Sequence, residues 1–92
     1  MNTREEAVEY LRAQGLHADK RDWVLGKTIA VGTDRFEAAG ITGYTRAMYI
    51  APKGVGWVSF ELDWERPEDE QQVTLEQACV RVVRVLTAPR QR

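Results

Sequence analysis

Two capping boxes, one near each end of the chain, constrain its fold more than any other feature. Thr3 stands three residues before Glu6, and Thr74 three residues before Gln77. In each pair the threonine hydroxyl can accept from a free first-turn amide while the Glu or Gln side chain reaches back to the cap amide. The spacing therefore predicts a helix at either end. In the first, Ala7, Val8 and Leu11 recur at helical spacing with Glu5, Glu9 and Arg12 on the wet side. Gly15 and Leu16 then supply a C′ glycine and its hydrophobic contact. The last helix should run from about Leu75 to Leu86 and stop before Pro89. Its stripe of Leu75, Ala78, Cys79, Val82, Val85 and Leu86 is widened by Val80 and Val83.

Between the helices the pattern changes to strand. Residues Trp23 to Gly32 are rich in β-branched and aromatic types. Gly26 inside that run points to a bulge, or to a break between two short strands. The polar stretch from His17 to Asp22 reads as a link, and Thr33 to Gly43 as a loop with one helical turn. Tyr44 to Ala51 and Trp57 to Trp64 read as a hairpin. Pairing Ala51 with Trp57 sets Ile50 beside Val58 and Met48 beside Phe60, leaving Tyr49, Trp57, Ser59, Glu61 and Asp63 on the other face. The expectation is an α+β fold of order α-β-β-β-α, a three- to four-stranded antiparallel sheet with N- and C-terminal helices, in a single domain spanning 1–92.

Charge is the second constraint. The net charge is −1, yet Glu61, Asp63, Glu65, Glu68, Asp69, Glu70 and Glu76 face only Arg66, a local charge of −6. The remaining residues hold twelve bases and seven acids, or +5. Such separation builds a field that attracts partners of opposite sign. A sequence pI near 5.8 disfavours nucleic acid. The longest apolar run is far short of the ~20 residues needed to span a bilayer, so no membrane association is expected. One cysteine and a start without an apolar h-region point to the cytoplasm.

Catalytic chemistry finds little support. His17 is the sole histidine and reads as an exposed loop residue, and one His with one distant Cys does not make a metal site. Cys79 on the apolar stripe reads as a small buried hydrophobe. Ser59, the only serine, sits mid-strand rather than on a nucleophile elbow. Glu61 and Asp63, two apart on one strand, stand too close together to flank a sugar. No catalytic residue, metal or cofactor is expected.

Tyr49 and Trp57 beside those acids admit two readings. They form an interaction surface, or helix one or the Thr33–Gly43 loop covers them as core. The acidic run likewise reads as a docking surface or as a solvated loop. The α-β-β-β-α order resembles double-stranded RNA-binding domains, but those carry lysines where this chain has Thr74-Leu75-Glu76-Gln77, so phosphate would be repelled. The C-terminal half, with Met48-Tyr49-Ile50, a glycine turn, Gly56-Trp57-Val58-Ser59-Phe60, an acidic loop and Glu76-Gln77-Ala78-Cys79, resembles small bacterial immunity proteins of polymorphic toxin systems. That resemblance implies neutralisation of a toxin by direct, often acidic, contact.

The functional expectation is a protein-binding module for a basic protein, using Tyr49, Trp57, Glu61, Asp63, Glu65, Glu68, Asp69 and Glu70. The alternatives are a homodimer through Val80, Val83 or the Trp57 face, and a small-molecule site near Asp34, Arg35 and Arg46.

Overall fold

A computed structural model describes residues 1–23, 26–62 and 65–88. The element order is α1 (Arg4–Ala13), β1 (His17–Trp23), β2 (Gly26–Gly32), β3 (Arg35–Ala38), β4 (Ile41–Tyr44), β5 (Ala47–Lys53), β6 (Gly56–Phe60) and α2 (Leu75–Thr87). The fold is α+β, and six strands stand where three or four were expected. Four form an antiparallel sheet in the order β1-β2-β5-β6, and β3 and β4 pair by themselves.

Both helices start as their capping boxes dictate. Thr3 Oγ1 accepts from the Glu6 amide and Thr74 Oγ1 from the Gln77 amide, each at 3.1 Å. At the end of α1 the Gly15 amide donates to Arg12 O and the Leu16 amide to Leu11 O, with Gly15 at φ 87°. That pair of bonds satisfies carbonyls the last turn would otherwise leave open. The two helices share one sheet face. Ala7, Val8 and Leu11 of α1 meet Ala18, Ile29, Val31, Met48 and Ile50 of the sheet and the Leu75–Leu86 stripe of α2 in one core. Burying each large side chain there contributes roughly 1.5–3 kcal/mol.

The segment from His17 to Asp22 is the edge strand β1 rather than a link. Its polarity has a partner in α1: Lys20 bonds Glu5 at 3.1 Å, Arg4 pairs with Asp22 at 3.4 Å, and Arg12 Nε donates to Ala18 O at 3.1 Å. Only Ala18 of this stretch enters the core, so composition alone hid the strand. Gly26 opens β2 opposite Trp23, which makes it the start of a second strand rather than a bulge.

The segment from Thr33 to Gly43 is a β-hairpin, not a helical loop. The Thr33 amide donates to Arg46 O (3.1 Å) and the Thr45 amide to Asp34 O (2.9 Å), so the β2–β5 ladder runs on into β3–β4 without a change of register. Ala39 and Gly40 turn the chain at φ 51° and 76°, the two positive angles of a type I′ hairpin turn. Every residue of β3 is exposed.

The β5–β6 register differs from the expected one by a single residue. Tyr49 faces Phe60, Ile50 faces Ser59, and Ala51 faces Val58. A two-residue connection, Gly54-Val55, closes on the Lys53–Gly56 pair, with Gly54 at φ 59°. Alternation along an antiparallel ladder then leaves Pro52 at a non-hydrogen-bonded position, where its missing N–H costs nothing to β6. A one-residue slip exchanges the faces of a strand. Trp57 and Ser59 therefore turn toward the helices, while Val58 and Phe60 join Ala51 and Tyr49 in a second cluster on the other face. The sheet is buried on both sides along β5 and β6.

Candidate functional site

The acids expected to form a surface lie in the connection from β6 to α2, and two cations bind that connection to the body. Lys53, at the end of β5, points its ammonium at loop carbonyls. It donates to Pro67 O at 3.3 Å, to Glu68 O at 3.1 Å and to Glu70 O. Arg81 does the same from the second turn of α2. Its guanidinium donates to the Ser59 carbonyl, to Ser59 Oγ at 3.2 Å, to Glu70 Oε2 at 3.5 Å and to Glu65 Oε2. Within the loop the Glu65 amide donates to Glu61 O (2.8 Å), the Glu61 amide to Glu65 Oε1 (3.3 Å), and the Asp69 amide to Arg66 O (3.1 Å). The end of the loop is fastened to the sheet, because Val73 and Trp57 exchange both backbone bonds at 2.7 and 2.8 Å.

The electrostatics follow from this convergence. Burial pushes the Glu65 carboxyl up, but hydrogen bonds with Glu70 and Arg81 outweigh it and hold Glu65 below the ordinary carboxylate value. Glu70 is held above that value, first by its bond with Glu65 and then by burial. Glu70 is therefore the weaker acid of the pair, and Glu65 the stronger. Against the local charge of −6 the fold brings Lys53 and Arg81, which leaves −4. Among the described acids of this group Glu68, Asp69 and Glu76 are exposed, Glu76 on α2 and the other two in the loop.

The predicted surface is therefore divided. Glu61, Glu65, Glu68, Asp69 and Glu70 stay together in one loop. Asp63 lies outside the described residues. Tyr49 and Trp57 are separated by the sheet itself: Tyr49 stands half-buried on the helix-free face, its ring 5.9 Å from Phe60, while Trp57 packs against the core under the helices. An aromatic–acidic face containing both is not formed. Val83 packs against the same core, so of the residues considered for a dimer contact Val80, 46% exposed, is the one left outward. Asp34 and Arg35 sit on the exposed hairpin, and Arg35 pairs with Glu37 at 3.8 Å.

Sequence reasoning missed Lys53 and Arg81. Arg81 lies between Ala78 and Val82, both buried, and a charge at the flank of a buried stripe next to an acid-rich connection was the available signal. It also missed a polar cluster on β1. Tyr44 donates its hydroxyl to Asp19, lies 5.9 Å beneath the Arg21 guanidinium and stacks on His17 at 6.1 Å. Burial and the Asp19 bond push the Tyr44 hydroxyl up to about 12. His17 is exposed, but on a strand. Cys79 is buried, and burial followed by the Glu76 charge pushes its thiol up to about 11. Among the described residues no three metal-capable side chains converge, and no helix is long and apolar enough to cross a membrane.

Comparison with protein-family models, curated proteins and solved structures finds no match for this chain.

Proposed function

We propose that this chain is a small protein-binding module, an immunity-type inhibitor that engages a basic protein through the loop joining β6 to α2. One observation carries the reading: Lys53 and Arg81 hold the loop backbone and the carboxyls of Glu65 and Glu70, so Glu68 and Asp69 project from an ordered base. An ordered loop loses little entropy on binding, and its charge steers a cationic partner into contact. Phosphate backbones and anionic lipid surfaces are repelled by the same field.

The test compares the wild type with the double variant Glu68→Lys and Asp69→Lys. Both side chains are exposed, so stability should change by no more than about 0.5 kcal/mol. Capture from the native host at low salt, followed by mass spectrometry, should retain a basic protein on the wild type and lose it on the variant. With that protein purified, the association rate should fall at least about tenfold in the variant and lose its dependence on salt. Equal retention by both forms rejects acidic docking.

A further inference from the structure

The main sheet ends in two edges, and both are engaged. Val73 pairs with Trp57 along the outside of β6. Outside β1, Arg12 Nε donates to the Ala18 carbonyl, and Glu5 and Arg4 of α1 bind Lys20 and Asp22. The ribbon β3–β4 is different. Every residue of β3 is exposed, and among the described residues no strand pairs with its outer side. An unpaired edge offers a row of donors and acceptors that another strand can complete, and two strands alone make a marginal sheet. β3 reads Arg35-Phe36-Glu37-Ala38, with neither a proline nor a bulge to block pairing. Phe36 leans across its own ribbon, where a Cβ on Gly43 would stand 2.8 Å from its Cζ.

Backbone parity restricts what this edge can accept. The turn Ala39-Gly40 closes on Ala38–Ile41, so that pair and Phe36–Gly43 exchange hydrogen bonds within the ribbon. The Thr45 amide's bond to Asp34 O, 2.9 Å, keeps the same alternation. The amides and carbonyls of Arg35 and Glu37 therefore point outward. Full antiparallel overlap with a second β3 would set Arg35 against Ala38 and Phe36 against Glu37. Outward groups would then meet inward ones, and no ladder forms. Sliding by one residue restores the parity in two ways. Centred on Glu37, the pairing opposes two glutamates, which destabilises it. Centred on Phe36, it opposes Arg35 of each copy to Glu37 of the other, so opposite charges face each other twice and both pairs exchange backbone bonds. The two Phe36 residues then meet at the close, non-hydrogen-bonded position on the other face.

We infer that β3 pairs with β3 of a second copy of this chain, antiparallel and centred on Phe36, joining two ribbons into one four-stranded sheet. Within one chain Arg35 and Glu37 lie 3.8 Å apart, an ion pair that association exchanges for two cross-strand pairs. The surface is on a different element from the β6–α2 loop, so it stands or falls separately from acidic docking.

Few residues meet at such an edge, so association belongs to the weak class and is measured by sedimentation equilibrium from about 10 µM to 1 mM. The weight-average mass should climb from 10.5 kDa toward twice that value across the range. Arg35→Glu and Glu37→Arg each oppose like charges at both pairs, and each should weaken self-association at least about tenfold. An equimolar mixture of the two variants recreates both opposite-charge pairs and should associate as the wild type does. In a mixture of isotope-labelled and unlabelled wild type, a filtered NOE should link the Phe36 Hα protons of two copies, which this register brings together. A wild type that stays monomeric throughout overturns the inference. So does self-association that the single variants leave intact, or a mixture of the variants that stays monomeric. Association without the Phe36 NOE overturns the register and the inference with it.

Discussion

The loop 61–73 and the hairpin β3–β4 are opposites. The hairpin has a regular ladder and a two-residue turn, yet Phe36 is 48% exposed and Ile41 70% exposed. The loop carries no strand or helix among its described residues, yet the carbonyls of Pro67, Glu68 and Glu70, the carboxyls of Glu65 and Glu70, and Val73 are all bound to the body. Regular backbone pairing and tertiary order are separate properties. A two-stranded ribbon by itself is marginal in water, whereas an irregular segment can be held by a few charge-assisted bonds to rigid elements.

Removing Arg81 should disturb the loop most. Arg81→Met keeps the aliphatic stem but leaves the buried Ser59 carbonyl without its donor and sets Glu65 against Glu70 without the guanidinium between them. The expected loss is about 2–3 kcal/mol by urea denaturation, with faster amide exchange in residues 65–70. A loss under about 0.5 kcal/mol would mean that the loop holds its shape without the guanidinium.

Beside the backbone bonds of Thr33 and Thr45, the hairpin is tied to the body through Tyr44, which lies over Gly32. A Cβ at Gly32 would stand 2.2 Å from Tyr44 Cβ and 2.4 Å from Cγ. Gly32→Ala should therefore displace the ring, cost about 1–2 kcal/mol and lower exchange protection across residues 35–44. Unchanged protection there would show the ribbon to be self-supporting, and the contrast with the loop would fail.

The smallest effect concerns the same latch at alkaline pH. The Tyr44 hydroxyl is raised from the ordinary 10 to about 12. A group raised on folding contributes stability that is complete below its unfolded value and is lost as pH rises through the folded one. Stability should therefore fall between about pH 10 and 12 more steeply in the wild type than in Tyr44→Phe. Parallel curves for the two proteins would remove the Tyr44–Asp19 bond from the account.

Much of the fold was legible where local chemistry acts alone. Both capping boxes, the Gly15 stop and the apolar stripes of the helices need only neighbours within a few residues, and all formed as read. The strand content was legible in β2, β5 and β6, but β1 was not, because its charges are matched by α1 across the tertiary contact. The β5–β6 register went wrong for a related reason. Met48, Tyr49, Ile50 and Ala51 are apolar in succession, which marks a strand buried on both faces, and a strand of that kind does not announce which parity faces the helices. The acids of the candidate site were visible as a charge run, while Lys53 and Arg81 became part of it only when β5 and α2 were brought alongside.

By itself the sequence determined the two end helices, the strands β2, β5 and β6 and the concentration of acid between β6 and α2, because capping, periodicity and charge density are properties of short segments. The tertiary structure alone decided that Trp57 turns inward and Tyr49 outward, that the ribbon from β2 to β5 runs past the sheet, and that the acidic loop is held by cations from elsewhere in the chain. Those outcomes depend on a one-residue choice of register and on contacts between residues far apart in the chain, and no local pattern encodes either.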